Sequence, residues 1–377
     1  MAGGLNDMPN DKHRLHALCP YFAMFPHTFA REHLLRYTNP GDVVLDPFSG
    51  RGTTLLESLL LDRQAVAVDI NPVAACVTGA KARVPDLGEI KARLNLLEQE
   101  YKGFSIQRVD DERHALPPFF KHAFHYRTLR ELLFIRDRMN WQKDDVDRFI
   151  SALILGALHG ETDKSSSCFS NQMPRTISTK PDYSIRYWQE HGLVPPRRRV
   201  FEILKDRAQF RLQEGRPAHR GVAVQADARE TSAYLQGWRG RVKAVITSPP
   251  YLDVTNFEED QWLRLWFLGG LPRPTYGRIS RDDRHNNKEA YWTFLSEAWQ
   301  GMAGLLDKKA VIVCRIGGNK QSVDALANGL LGTLRSAIPS ATLLHGPVVS
   351  VPRQRQTQSF RPGTTGGFEA DFVFCTS

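Results

Sequence analysis

No apolar run in the chain approaches the ~18 residues that a membrane-spanning helix requires, so no such span is expected. The polar opening, Met1 to Arg14, lacks the apolar centre of a secretory leader. Cysteine is scarce: Cys19, Cys76, Cys168, Cys314 and Cys375 lie far apart, with no Cys-x-x-Cys pair. That spacing argues against both a disulfide framework and a zinc site, and a reducing cytoplasm is the expected compartment. The histidines are scattered without ligand spacing, so no metal is expected. The one conspicuous glycine loop has no Gly-Lys-Ser/Thr end and is no P-loop. No internal repeat is visible. What remains is a chain of 377 residues, 41% hydrophobic and 24% charged, long enough for one large or two ordinary domains with a real core. Its formal net charge of +9 suits a polyanionic partner.

The pattern along the chain predicts an interrupted α/β domain. Val43 to Leu45 reads as a short buried strand running into Asp46-Pro47-Phe48-Ser49-Gly50-Arg51-Gly52-Thr53-Thr54, then a helix over 55–61. Ala65 to Val68 reads as a second strand, ending in Asp69-Ile70-Asn71-Pro72, and 74–82 as a helix. This strand, glycine loop, helix, strand and acid order opens a parallel α/β domain with its ligand at the carboxyl ends of the strands. From residue 85 to 215 the alternation stops. Amphipathic stretches over 86–103, 119–139, 146–159 and 200–213 predict a mainly helical insertion. Alternation resumes with strands at 222–224, 242–246 and 310–314 and helices over 257–268, 291–306 and 322–338. Segments 348–351 and 368–374 read as a closing antiparallel pair. The catalytic domain is therefore expected to comprise 1–84 and 216–377, with 85–215 inserted.

Chemistry concentrates at the strand ends. Gly50 and Gly52 allow positive φ and close backbone approach, and the helix that follows points free N–H groups at an anion. Asp69 stands where a carboxylate grips a ribose diol. Asp46 can face a cationic group, and Asp227 can accept from an adenine amine. Glycine turn and acids together suit a ligand with a ribose, an adenine and a positive centre, which is S-adenosylmethionine. At the end of the 242–246 strand comes Thr247-Ser248-Pro249-Pro250-Tyr251. Two prolines fix φ and remove two donors, leaving free carbonyls between a hydroxyl and an aromatic ring. Such a corner can hold a nucleobase by its exocyclic amine. Taken alone, these residues also fit a strand running into a packed loop.

As a set, the motifs resemble those of the amino-methylating DNA methyltransferases of restriction–modification type. Residues 46–54 resemble that family's Asp-Pro-Phe-x-Gly-Ser-Gly-Thr-Thr cofactor loop, which implicates Asp46, Phe48, Gly50, Gly52, Thr53 and Thr54. Asp69 and Ile70 resemble its ribose-binding acid and the residue after it, and Asp227-Ala228 its adenine contact. Tyr21 to Pro26 resembles the aromatic segment that closes over the methionine end, implicating Phe25 and Pro26. Ser248, Pro249, Pro250 and Tyr251 resemble its catalytic motif, in the Thr-Ser-Pro-Pro-Tyr form commonest among cytosine-N4 enzymes. The resemblance covers most of 16–83 and 220–320. It implies a Rossmann-like S-adenosylmethionine-dependent methyltransferase fold, S-adenosylmethionine as cofactor, DNA as substrate and a cognate restriction endonuclease as partner. Two departures stand out. Arg51 replaces the usual Ser, and the glycine loop precedes the catalytic motif, whereas Ser-Pro-Pro members often have the reverse order.

The expected reaction is methylation of cytosine N4 in a base flipped out of the duplex, with no metal and no covalent enzyme intermediate. Adenine N6 is the nearest alternative. An RNA guanine-N2 methyltransferase and a non-catalytic DNA-binding subunit are more distant ones. Candidate DNA contacts are Arg197 and Arg198, Arg273 and Arg281 in the loop after the catalytic motif, and Arg353 and Arg355 between the closing strands. Segment 170–175, with side chains suited to base edges, reads equally as a brace for the site.

Overall fold

The computed structural model describes residues 12–21, 25–160, 167–173, 180–252, 257–275, 287–318, 321–350 and 368–376. Short apolar runs form strands β1 (Val43–Asp46), β2 (Gln64–Asp69), β3 (Val222–Gln225), β4 (Val242–Thr247), β5 (Leu306–Gly318), β6 (Thr342–Ser350) and β7 (Phe368–Cys375). They make one seven-stranded sheet in the order β3-β2-β1-β4-β5-β7-β6. β7 alone runs antiparallel to its neighbours. β1 is buried along its whole length, as a central parallel strand covered on both faces must be. The chain winds outward from β1 through β2 to β3, then returns to β4 on the other side of β1. The order therefore reverses between β1 and β4, and ligands of open α/β sheets bind at the carboxyl ends at such a point.

The helices are α1 (His27–Tyr37), α2 (Thr53–Leu60), α3 (Pro72–Ala82), α4 (Leu87–Gly103), α5 (Ile106–Ala115), α6 (Pro118–Ala123), α7 (Tyr126–Arg138), α8 (Asp145–Leu155), α9 (Pro181–Glu190), α10 (Val200–Arg211), α11 (Thr231–Tyr234), α12 (Phe257–Phe267), α13 (Lys288–Ala303) and α14 (Val323–Ala337). Side chains alternate across β1. Val43 and Leu45 join Leu295, Trp299 and Met302 of α13 and Leu330 of α14 on one face, while Val44 joins Phe29 and Leu34 of α1 on the other. The helical segment after residue 85 does not pack as an isolated body. Leu94, Leu132, Phe149 and Leu204 share one core with Val73 and Val77 of α3 and with Trp262 and Trp266 of α12. Those two indoles and α3 join the segment to the α/β part of the chain.

Several boundaries differ from those read in the sequence. The helix predicted over 119–139 breaks into α6 and α7: Phe124 is extended, and His125 caps α7 by accepting the Arg127 N–H at 3.2 Å. The helix predicted over 146–159 stops at Leu155 with Gly156 as its C-cap, and Gly156 lies against the Leu18 carbonyl, where a Cβ has no room. α5 was not predicted; its Asp-Asp-Glu-Arg stretch is too polar to display a periodic face, and Val109 is its one buried residue. α13 begins three residues early, since Asn287 caps it by accepting the Glu289 and Ala290 N–H groups. β5 runs on to Gly318 because β7 pairs with it along that length.

Candidate active site

The carboxyl ends of β2, β1 and β4 lie side by side, so the segments that follow them share one edge of the sheet. At ~4.8 Å between strands, the ends of β2 and β4 are roughly 10 Å apart, a span that one nucleoside-sized ligand covers. Gly50 and Gly52 have φ of +50° and +73°. The second is obligatory, since a Cβ on Gly52 would meet Thr78 Oγ1 at 2.8 Å. The Gly50 N–H donates to Asp69 Oδ2 at 2.7 Å, and the Asn71 N–H donates to Asp69 Oδ1 at 2.9 Å. The half-buried acid that ends β2 is thus locked onto the glycine loop. Burial pushes its carboxyl up to about 6 against those two bonds.

Asp46 ends β1 and is 1% exposed. Its Oδ1 accepts the Thr247 hydroxyl at 2.6 Å and the Phe48 N–H at 3.2 Å. Its Oδ2 is buried with no hydrogen-bond partner among the described residues. Burial raises this carboxyl from the ordinary value near 3.8 to about 7, with the Asp69 charge adding to the rise and the Thr247 and Phe48 bonds opposing it. A buried carboxylate oxygen without a partner among the described residues, at a switch point of the sheet, fits a cationic ligand group. Thr54, in the first turn of α2, donates its hydroxyl to the Ile246 carbonyl at 2.9 Å. Two side-chain bonds, from Thr54 and Thr247, therefore join the glycine-loop unit to the strand that leads into Ser248.

Around this centre, Phe48 packs edge-on against Phe294 and Trp299. Ile70 is 53% exposed beyond Asp69, an apolar surface available to a planar ring. Ala228 is buried, while Asp227 holds the Arg229 guanidinium at 2.9 and 2.5 Å. Tyr21 lies over Gly50, and its hydroxyl accepts from Asn71 Nδ2 at 3.4 Å. Phe25 turns inward, edge-on to Phe29 at 5.0 Å in the α1 core, and Pro26 caps α1. Ser248 and Tyr251 come together at the β4 end, with their hydroxyl oxygens 3.5 Å apart. The structure thus gathers Asp46, Phe48, Gly50, Gly52, Thr53, Thr54, Asp69, Ile70, Ser248, Pro249, Pro250 and Tyr251 along three adjacent strand ends, and Asp227 and Ala228 beyond β3.

Arg51 does not face outward. It is 6% exposed, donating to Thr53 Oγ1 at 3.2 Å and to the His16 carbonyl at 3.4 Å, and burial lowers its pKa to about 10. Lys81 donates to the Arg51 carbonyl at 2.5 Å and braces the loop from behind. Arg197 is engaged with Glu131 and the Arg198 carbonyl, and the Arg198 Nε is buried. Arg273 is exposed. Arg281, Arg353 and Arg355 lie outside the described residues, as do Pro174 and Arg175. Cys314 is a fully buried strand residue whose thiol burial pushes up, which suits packing and not nucleophilic attack. Among the described residues no group of His, Cys, Asp and Glu is arranged to hold a metal, and no helix is long and apolar enough to cross a membrane. Sequence reasoning missed Thr247 as the Asp46 partner. It also missed Glu369, whose Oε1 accepts the Tyr251 hydroxyl at 3.1 Å from 118 positions away.

A family model described as DNA methylase matches residues 6–77, the stretch that holds the glycine loop and Asp69. Type II methyltransferase M.MjaII of Methanocaldococcus jannaschii is 31% identical over 108 residues, 29% of this chain and 20% of that one. Type II methyltransferase M.Cfr9I of Citrobacter freundii is 46% identical over 52 residues, 14% of this chain and 17% of that one. Type II methyltransferase M.SmaI of Serratia marcescens is 42% identical over 64 residues, 17% and 21% of the two chains. The chain thus spans about a fifth of the length of the curated relatives it matches. Over the stretches they cover, these matches make the chain similar to DNA methylases and to type II methyltransferases.

Proposed function

We propose that the protein transfers a methyl group from S-adenosylmethionine to the N4 amine of a cytosine flipped out of duplex DNA. The observation that carries this reading is the pair of bonds from Thr247 to Asp46 and from Thr54 to the Ile246 carbonyl, which put a cofactor-type glycine loop and a Ser-Pro-Pro-Tyr corner on adjacent strand ends. Asp69 would hold the ribose diol, Asp46 a cationic group of the methionine end, and Ile70 and Ala228 the faces of the adenine. When bound, S-adenosylmethionine supplies an electrophilic sulfonium methyl.

The remaining work falls to the chain. A cytosine amine is a poor nucleophile, because its lone pair is delocalised into the ring. Ser248 Oγ and the Pro249 carbonyl accept its two hydrogens, favour a pyramidal nitrogen and aim the lone pair at the methyl. Pro250 keeps the corner rigid, and Tyr251 offers a ring to stack on the base, a contact worth ~1–3 kcal/mol. Extrusion of the base costs a few kcal/mol, and in-line alignment supplies much of the acceleration. Held by Asp69 and Asp46, the cofactor would supply the methyl and keep the electron pair of the broken sulfur–carbon bond as a neutral thioether, and the amine would give one proton to solvent. The helical segment 85–215 and the exposed Arg273 are the proposed DNA-facing parts.

Cytosine is preferred over adenine on the Thr-Ser-Pro-Pro-Tyr form of the corner. Adenine N6 is the second reading, favoured by the same acceptors because the two amines share their geometry. The test is to incubate the protein with methyl-labelled S-adenosylmethionine and unmethylated DNA, digest the DNA and identify the labelled nucleoside. N4-methylcytosine supports the proposal, N6-methyladenine moves it to the second reading, and DNA that gains no label overturns both.

A further inference from the structure

The Ser248–Tyr251 pair does not end at Tyr251. β7 brings Glu369 opposite Gly317 of β5, and the Tyr251 ring lies flat enough on Gly317 that a Cβ there would sit 2.5 Å from the ring. The phenol is thereby aimed at Glu369, and it donates to Oε1 at 3.1 Å. The Ser248 hydroxyl points to the Tyr251 oxygen at 3.5 Å. The other carboxylate oxygen lies 3.6 Å from Arg315 Nη1. Arg315 is itself fixed: it pairs with Asp371 at 2.6 and 2.7 Å and lies 4.0 Å over the Phe29 ring of α1.

A hydroxyl has one proton to donate, whereas an ionised carboxylate only accepts. Glu369 therefore dictates the order of the chain. Tyr251 must give its proton to Glu369, so its oxygen is left to accept from Ser248. With the Ser248 proton turned away, the Ser248 lone pairs face the strand-end site. Remove the carboxylate and the phenol is free to donate to Ser248. The Ser248 proton then turns toward the incoming amine, setting a donor against a donor.

Resting on the function proposed above, we infer that Glu369 is a positioning residue: through Tyr251 it holds the Ser248 hydroxyl as an acceptor toward the target amine. Nothing in the Thr-Ser-Pro-Pro-Tyr motif calls for this residue. It is supplied by the last strand of the sheet. The groups facing its carboxylate are Arg315 on β5, Asp371 on its own strand and Tyr251 after β4. Burial pushes the Glu369 carboxyl up, Arg315 and Tyr251 oppose the rise and Asp371 adds to it. Once protonated, Glu369 can itself donate and reverse the chain, so turnover falls as pH drops through its pKa.

The experiment uses the full chain, saturating labelled S-adenosylmethionine and unmethylated plasmid DNA. It measures turnover for the wild type, Glu369→Gln, Tyr251→Phe and the double variant, with cofactor affinity by calorimetry as a check on folding. Glu369→Gln is expected to lower turnover about tenfold, to change cofactor affinity less than twofold and to lose the acidic limb of the wild-type pH profile. In the Tyr251→Phe background, where no phenol remains to be ordered, it is expected to change nothing further. Glu369→Asp is expected to recover part of the rate. Equal effects of Glu369→Gln in both backgrounds, or an acidic limb that persists in Tyr251→Phe, would overturn the inference. A wild type active on DNA with Glu369→Gln unaffected overturns it alone. A wild type that binds cofactor yet methylates no DNA overturns the proposed function, and this inference with it.

Discussion

Replacing Asp46 with Asn should make the unliganded protein more stable at alkaline pH while impairing its use of the cofactor. Burial raises the Asp46 carboxyl from 3.8 to about 7, a change of about 3 units, or about 4 kcal/mol at 1.36 kcal/mol per unit. The sign follows from linkage. The folded state holds the proton more tightly than the unfolded state, so this group favours folding fully only below pH 3.8. That advantage drains away as pH rises from about 4 to about 7, at about 1.4 kcal/mol per pH unit, and stays lost above. Asn keeps an oxygen to accept the Thr247 hydroxyl and Phe48 N–H but carries no charge to bury. Its amide places an unpaired donor where Oδ2 stood, at a cost of about 1–3 kcal/mol. The variant is thus expected to gain about 1–3 kcal/mol over the wild type at pH 8, an advantage that shrinks and reverses toward pH 5. Thermal melts from pH 5 to 8.5 read this directly. Saturating S-adenosylmethionine should raise the wild-type melting temperature well above that of the variant, since the ionised acid is what a cationic ligand needs. A variant less stable than the wild type by the same margin at every pH would refute the reasoning.

Other perturbations separate the parts of the site. Ser248→Ala should cut turnover ~100-fold or more, the scale of losing one preorganised transition-state contact, with cofactor affinity little changed in a calorimetric titration. Asp69→Ala should weaken cofactor binding ~10- to 100-fold, the worth of hydrogen bonds to a charged group, and should also free the Gly50 and Asn71 N–H groups. Gly52→Ala should destabilise the fold by about 2–5 kcal/mol in denaturant melts. That sum combines roughly 1–2 kcal/mol for a left-handed alanine and about 1–3 kcal/mol for the clash with Thr78. Arg197→Ala should cost about 1–3 kcal/mol of stability, because Glu131 is left buried with only the Val200 N–H, at 2.7 Å, beside it. Its affinity for nonspecific DNA should stay within twofold of the wild type in a filter-binding assay.

The centre of the site was legible because its parts are local. Asp46, Gly50, Gly52 and Asp69 each sit at the junction of an apolar strand and a turn, and one strand end identifies one residue. The diproline corner is visible for the same reason, and so is the closing antiparallel pair, whose two apolar runs flank a polar loop. Long-range side-chain pairings carry no such mark. Nothing around Thr247 announces that its hydroxyl meets Asp46, 201 positions away, and nothing around Glu369 announces Tyr251. Arg51 read only as a departure from the glycine-loop pattern, and Arg197 as a candidate DNA contact. Here the first is enclosed by the His16 carbonyl and Thr53, and the second is drawn onto α7 by Glu131. The helical segment was recognised by its break in alternation. That Trp262 and Trp266 would weld it to α3 is a matter of packing volume, which periodicity does not encode.

The most direct measurement is a crystal structure of the full chain with sinefungin, the amine analogue of S-adenosylmethionine. The ribose hydroxyls are expected on Asp69, the amine that replaces the transferable methyl is expected to face Ser248 and the Pro249 carbonyl, and the adenine is expected beside Ile70. Electron density for the analogue anywhere other than across the carboxyl ends of β2, β1 and β4, or with that amine pointing away from the diproline corner, would contradict the account.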